Sequence, residues 1–342
     1  MKYLEKNLPK VSVIIPSYQN EKELPRAIKS VQNQDFKDLE IIIINNASTD
    51  NTSQVCDYLA KNDNRIKWVE LFKNVGPAGA RNEGVNISLG KYIAFIDADD
   101  EWLDGKLNTQ VELLEQYPDI SLVFCDGFLV NELTNEKIFI SKLNKLMDRK
   151  LIFKATDYSS SVYLIEGNVR LELYRGNFIN LSTVVLRKED FNLLNGFDQN
   201  CFGMEDHDLW VRLSEKSKFI YWYEKKINYN WRPTSLSRLN EDRIRKLIDY
   251  YSIRYSSSNY QDLKQISQQH LYFYYKQLIL YFSKKWKPLQ AFNAFRHSLI
   301  IQFYPSLLFY SLLSVFGEIP ILTKLKIINP IITFLKLKRI ET

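Results

Sequence analysis

Between Lys91 and Trp102 the chain reads KYIAFIDADDEW, an apolar run that breaks directly into Asp97-Ala98-Asp99-Asp100. If residues 92–96 form a strand, these carboxylates stand at its C-terminal end, where open α/β sheets bind ligands. Hard divalent cations take oxygen ligands, and Mg²⁺ commonly uses one or two carboxylates together with substrate phosphates. An isolated D-x-D is equally the commonplace solvated turn after a strand, so its meaning depends on the surrounding chain.

That chain alternates. Residues 11–15 and 39–44 are short, nearly continuous β-branched or apolar runs, the pattern of parallel strands buried on both faces. Between them Asn20 is a plausible N-cap with Glu23 as its capping partner, and Leu24, Ala27, Ile28 and Val31 follow at helical spacing. Ser48-Thr49-Asp50 opens a second helix carrying Val55, Leu59 and Ala60 on one side. Residues 65–71 predict a third strand, 78–88 a helix and 92–96 a fourth strand. Such alternation implies right-handed crossovers and a mostly parallel α/β sheet. This is a nucleotide-binding architecture, yet the G-x-G-x-x-G and G-x-x-x-x-G-K-[ST] signatures are missing. Phosphates must then be held differently, and a metal on Asp97 and Asp99 is the candidate.

A length of 342 residues suits about two domains. The apolar fraction of 45% and aromatic fraction of 14% exclude a disordered chain. Cys56, Cys125 and Cys201 show neither paired disulfide arithmetic nor metal-ligand spacing, which fits a reducing compartment. MKYLEKNLPK lacks an apolar h-region, so a cleaved secretory leader is not expected. After about residue 240, Gly vanishes until Gly317 while Tyr, Phe, Leu, Lys and Gln dominate. Residues 241–342 therefore predict a helical C-terminal region beyond an α/β body of residues 1–240.

Read in order, VSVIIPSYQN, IIIINNASTDNT, NVGPAGARNEG, YIAFIDADDEW and LLNGFDQNCFGMEDHDLWVRL resemble the family-2 inverting glycosyltransferases of GT-A fold, of the bacterial surface-glycan type. The resemblance covers roughly residues 9–240. It implies a Rossmann-like, mostly parallel nucleotide-binding sheet flanked by helices, a Mn²⁺ or Mg²⁺ ion, and a nucleotide-diphosphate sugar as donor.

The resemblance also implies roles. Pro16 ends the first strand, and the ring of Tyr18 stacks on the donor's base, worth roughly 1–3 kcal/mol. Asn46 stands where the family usually has an Asp that accepts the uracil N3–H. Its amide oxygen can still accept and its NH₂ can donate to O4, so a UDP-linked donor is expected, with turn-capping as the competing role. Residues 76–82 read as a flexible loop leading into a helix that carries Arg81 to the phosphates, which a guanidinium recognises bidentately. Asp99 is implied on the metal and Asp97 toward the ribose or the metal, with the metal acting as a Lewis acid on the leaving diphosphate. Asp100 is implied as a supporting or capping residue. Leu209, Trp210 and Leu213 repeat at helical spacing, so Glu205 and Asp206 sit at a helix start, where capping is a competing role. Asp206 is the implied base that deprotonates the acceptor hydroxyl, and Glu205 positions acceptor or base. Arg232, in the WRPTSLS segment, is the implied contact of a lid over the diphosphate. His207 has no spaced partners and reads as structural.

Residues 298–317 run 20 positions without a formal charge, which reaches the length of a bilayer span. Pro305, Gln302 and four Ser weaken that reading. Residues 322–339 mix Ile, Leu and Phe with Lys324, Lys326, Lys336, Lys338 and Arg339, a texture suited to an anionic membrane interface. Peripheral contact at the inner face of the cytoplasmic membrane is expected, with a plain helical subdomain as the alternative. The expected reaction is metal-dependent transfer of a single sugar to a hydroxyl of a glycan or lipid-linked glycan. The Q-x-x-R-W motif of processive synthases is absent, and nucleic acid is not an expected partner. Two alternatives stand beside it: a catalytically silent nucleotide-sugar-binding scaffold of the same fold, and a nucleotidyltransferase. The second needs a glycine- and basic-rich triphosphate loop that VSVIIPSYQNEKEL lacks.

Overall fold

The computed structural model describes residues 8–140, 151–201, 203–231, 239–257, 260–285, 287–299, 307 and 311. The chain divides into two compact units, residues 1–235 and 236–342.

The first unit opens with β1 (Val11–Ser17), α1 (Leu24–Gln32), β2 (Leu39–Asn45), α2 (Thr52–Asn62), β3 (Ile66–Glu70), α3 (Gly76–Asn86) and β4 (Tyr92–Phe95). All four strands run parallel, with β1 between β2 and β4 and with β3 outside β2. Every residue of β2 is buried, as expected of a strand covered on both faces, whereas β3 at the edge is mostly half-exposed. Helix α3 lies so close to the sheet that a Cβ on Gly84 would stand 2.4 Å from Ile14 Cγ2. Only glycine allows that approach.

The second half of this unit is not a repeat of the first. It contains β5 (Glu101–Trp102), α4 (Lys106–Gln116), β6 (Ile120–Asn131), β7 (Lys137–Ile140), β8 (Leu151–Ala155), β9 (Val162–Gly167), α5 (Val169–Arg175), β10 (Val185–Arg187), α6 (Lys188–Leu193), α7 (Glu205–Ser214) and β11 (Lys218–Trp231). The main path of the sheet is β3-β2-β1-β4-β10-β6-β11-β9-β8, with β5 on β11 and β7 on β6. Strand β10 lies antiparallel to both β4 and β6, so the parallel half ends at β4, the strand that delivers the acidic turn.

Three local expectations need correction. Strand β1 does not stop at Pro16, because Pro16 and Ser17 stay in register with Ile44 and Asn45 of β2. Ile14 O accepts the Ile96 N–H, so alternate residues of β1 face β4. The nitrogen of Pro16 therefore faces the side where pairing with β4 has already ended, and its missing donor costs no ladder bond. Asn20 does not cap α1. Its Oδ1 accepts the Tyr18 N–H instead, and the helix starts at Leu24 with a proline in its first turn. Residues 76–82 are already helical rather than a flexible loop.

Lys106 opens α4 after Gly105, which holds φ at +75°. Its side chain is fully buried, Nζ has no hydrogen-bond partner among the described residues, and it lies 4.1 Å from the centroid of the Trp102 ring. Burial pulls the amine down to about 8.

The second unit contains α8 (Glu241–Ser257), α9 (Gln261–Lys284) and α10 (Pro288–Ser298). Within it Tyr251 stacks on His270 at 4.2 Å, and Leu271, Leu278, Ile279 and Phe282 of α9 are buried. Among the described residues no helix is long and apolar enough to cross a membrane. Arg232 and residues 322–339 lie outside the described residues, as does nearly all of 298–317.

Candidate active site

Strand β4 ends in a tight acidic turn, closed by the Asp100 N–H donating to Asp97 O at 2.9 Å. Side chains alternate across it. Asp97 and Asp99 are half-buried, while Ala98 and Asp100 point inward and are buried. Asp100 accepts from the Ser182 hydroxyl at 2.6 Å and from the Asn230 N–H at 3.2 Å. Burial, reinforced by the charges of Asp97 and Asp99, pushes the Asp100 carboxyl well above the usual range. The backbone oxygen of Asp99 is gripped from two sides, by Arg26 at 2.9 Å and by the Asn230 amide at 2.7 Å.

Arg81, on the second turn of α3, joins the acidic turn to the second acidic pair. It donates from Nη2 to Asp97 Oδ1 at 2.7 Å and from Nη1 to Glu205 Oε1 at 2.9 Å, with a side chain only 7% exposed. Asn82 beside it exchanges two hydrogen bonds with the backbone of Phe197, which fixes α3 against the loop that leads to α7. Despite the burial, the acidic surroundings of Asp97, Glu205 and Asp206 hold the guanidinium above its ordinary pKa. Glu205 and Asp206 do open α7, as their spacing implies. The Glu205 side chain is 8% exposed and its Oε2 has no hydrogen-bond partner among the described residues. Asp206 accepts from the Asn177 amide at 3.0 Å. Desolvation first, then the charge of Glu205 and that of Asp97, pushes its carboxyl up to about 6 against the pull of Arg81. His207 is fully buried with Nε2 2.6 Å from Leu173 O, a packing role.

At the tips of β1 and β2 the chain takes two left-handed turns on non-glycine residues, Gln19 at φ 58° and Ala47 at φ 60°. Strained backbone of this sort costs about 1–3 kcal/mol and concentrates at ligand sites. The Gln19 amide ties the two tips together by accepting from the Thr49 and Asp50 N–H groups and donating to the Thr49 hydroxyl. Tyr18 stands beside it, 48% exposed. Asn46 is buried and busy: its Oδ1 accepts from the Val75 N–H at 2.9 Å and its NH₂ donates to Asn74 and Gly76. The turn-capping role is therefore realised in this structure, and one oxygen lone pair is left for any ligand.

The structure thus brings Asp97, Arg81, Glu205 and Asp206 into one corner and sets Pro16, Tyr18 and Asn46 at the tips of the neighbouring strands. Arg232 is outside the described residues. Gln19, Arg26, Asn82, Asn177, Ser182 and Asn230 were not legible as site residues, because each acts through contacts that are distant in sequence and no local motif marks them.

The donor set at the acidic turn fits a hard divalent cation. It offers carboxylate oxygens, Asp97 is oriented through one oxygen by Arg81, and the corner gathers Asp97, Glu205 and Asp206 around that single arginine. A different group, Asp198, Cys201 and Asp208, has ligand atoms within 4.8 Å of one another. It mixes a soft thiol with hard carboxylates, and the Cys201 thiol already donates to Asp198. All three cysteines are free and buried.

Residues 12–165 match the family model Glycosyl transferase family 2. A Campylobacter jejuni protein named GalNAc(5)-diNAcBac-PP-undecaprenol beta-1,3-glucosyltransferase is 33% identical over 217 residues, which is 63% of this chain and 63% of that protein. The chain thus spans less than two thirds of that relative's length. Among solved structures, S. aureus TarS 1-349 in complex with UDP-GlcNAc superposes with a TM-score of 0.58 at 17% identity, covering 87% of this chain and 82% of that one. The mannosyltransferase PcManGT from Pyrobaculum calidifontis, in complex with GDP-Man and Mn²⁺, gives 0.57 at 16% identity, covering 87% and 77%. At such identities the likeness speaks for the fold.

Proposed function

Because residues 12–165 belong to glycosyl transferase family 2 and the first unit has the GT-A fold, we propose that the protein moves a single sugar from a nucleotide-diphosphate donor to a hydroxyl of a glycan or lipid-linked glycan, with inversion. The observation that carries this reading is Arg81, whose two hydrogen bonds hold Asp97 and Glu205 in one corner. A binding scaffold has no need to assemble both acidic pairs around one buried cation.

In this reading the donor base stacks on Tyr18, and Asp97 and Asp99 hold Mn²⁺ or Mg²⁺. When bound, that ion neutralises the diphosphate and stabilises the departing nucleotide. Asp206 takes the proton of the acceptor hydroxyl, and a carboxyl poised at about 6 is well matched to that task near neutral pH. The buried Oε2 of Glu205 offers an acceptor hydroxyl a hydrogen bond, since buried polar atoms seek partners. The UDP linkage is favoured by the bound nucleotide of the TarS complex, although the PcManGT complex carries GDP-Man. A lipid-linked acceptor is favoured by the Campylobacter relative, which is named for a PP-undecaprenol glycan. The basic, aromatic residues beyond 298 are then proposed to rest on the inner face of the cytoplasmic membrane.

The test is release of nucleotide from UDP-, dTDP- and GDP-sugars by the purified protein with and without Mn²⁺ or Mg²⁺. Turnover should appear only with metal and vanish in Asp99→Ala. Full turnover in excess EDTA, or an unaffected Asp99→Ala variant, would sink the metal-dependent reading.

A further inference from the structure

The segment between α5 and β10 touches both halves of the acidic corner. At one end Asn177 Oδ1 accepts the N–H of Ile179 at 3.0 Å, a turn that fixes which end of the amide is oxygen. The NH₂ is thereby aimed outward, and it donates to Asp206 Oδ2 at 3.0 Å. At the other end Asn180 Oδ1 accepts the Ser182 N–H at 2.9 Å and holds a single turn of 3-10 helix, Leu181–Thr183. The Ser182 side chain is fully buried, and its hydroxyl is threaded into the acidic turn. It accepts the Asp97 N–H at 3.1 Å and donates to Asp100 Oδ2 at 2.6 Å, while Ser182 O accepts from the Trp102 indole at 2.9 Å. Between these ends Phe178 and Ile179 are buried, and Phe178 packs against Phe124 of β6 at 6.1 Å.

We propose that residues 176–183 form a positioning strap for the transfer site, with Asn177 orienting the Asp206 carboxylate and Ser182 setting the turn that presents Asp97 and Asp99. This rests on the proposed glycosyltransferase reading and adds to it two positioning residues with separable effects. Ser182 has one hydroxyl that satisfies a backbone donor and a buried acid together. Removing it leaves the Asp97 N–H and Asp100 without that partner, and the turn loses the bond that fixes its shape. Partners of this kind behind a metal ligand typically change metal affinity or activity by about 10–100-fold. Asn177 contacts Asp206 and not the acidic turn, so its loss misorients the base and spares the metal.

The experiment uses the full chain and Mn²⁺-stimulated nucleotide release from whichever of UDP-GlcNAc, UDP-Glc or GDP-Man the wild type turns over fastest. In Ser182→Ala the Mn²⁺ concentration for half-maximal rate should rise by about tenfold or more, and Ser182→Thr, which keeps the hydroxyl, should restore it at least in part. In Asn177→Ala kcat should fall by about tenfold or more, with the Mn²⁺ requirement and the donor KM within about twofold of wild type. Thermal unfolding of each variant is measured alongside. A purely structural strap would lower Tm while leaving both constants of the folded fraction unchanged, and that result overturns the proposal. Equal shifts of Mn²⁺ requirement and kcat in both variants overturn it as well. If the wild type shows no metal-stimulated release from any donor, the failure belongs to the glycosyltransferase reading and not to the strap.

Discussion

Lys106 should destabilise the protein at neutral pH, and replacing it by methionine should make the fold stronger. The side chain is fully buried, its Nζ lacks a hydrogen-bond partner among the described residues, and burial lowers its pKa from 10.5 to about 8. At about 1.4 kcal/mol per unit, that gap is worth about 3 kcal/mol against the folded state wherever the amine is charged in both states. The Trp102 ring 4.1 Å away returns about 0.5–2 kcal/mol of this through its π-face. A Lys106→Met variant keeps the length of the apolar stem and should gain about 1–3 kcal/mol at pH 7. Because the folded pKa is the lower one, the contribution of Lys106 is fully present only above its unfolded value near 10.4 and is lost as pH falls toward 8. The variant's advantage should therefore be flat from pH 6.5 to about 7.5 and shrink steadily between pH 8 and 9.5. Urea unfolding of both proteins across that range measures it. A pH-independent difference, or a variant less stable than wild type at pH 7, would refute the account of Lys106 as a buried, unsatisfied cation.

Three further outcomes are expected. Arg81→Met leaves Glu205 buried without its cation, and because Asp97 is a third exposed the loss should sit near the lower end of the usual range, about 3 kcal/mol, read as a Tm lower by about 6–12 °C. A drop under 2 °C would show the bridge to be incidental. Asp206→Asn should lower kcat by about 10²–10⁴-fold while donor affinity is kept, and the wild-type rate should fall as pH drops through about 6, where the base becomes protonated. A flat profile from pH 5 to 8 would exclude Asp206 as the base. The full chain should pellet with anionic liposomes at low salt, release at high salt, and lose binding when truncated after Trp286; indifference to liposomes would mean that the apolar stretch serves only protein packing.

The parallel half of the sheet was readable because each strand is a compact apolar run between helices with their own periodicity. Val11 to Ile15 and Leu39 to Ile44 need no distant partner to be recognised, and all of them are buried. Residues 131–172 gave no such signal. They carry β7, β8 and β9, and the burial of β8 and β9 neither alternates nor stays continuous; β8 pairs only with its neighbour β9, which reaches the rest of the sheet through β11, more than 50 residues on. The same holds at the site. Asp97, Arg81, Glu205 and Asp206 sit in local motifs, and a sequence window suffices to find them. Ser182 and Asn230 look like ordinary polar residues of a loop and a strand, and their importance lies in hydrogen bonds spanning 85 and 130 residues of chain.

Those long spans set an order of assembly. The β1-to-β4 half closes through crossovers between near neighbours, which cost little loop entropy and form early. The acidic turn at its edge stays unfinished until β10 slots in beside β4 and β11 brings Asn230 to Asp100. At about 5–20 residues per second, a ribosome needs roughly 7–26 s to add the 130 residues between those two contacts. Until β10 is made the nascent chain carries an open strand edge at β4, and until Asn230 is made it cannot complete its acidic turn. Prolonged exposure of such an edge makes this stage, and not the mature protein, the point at which slowed translation or early truncation would drive aggregation.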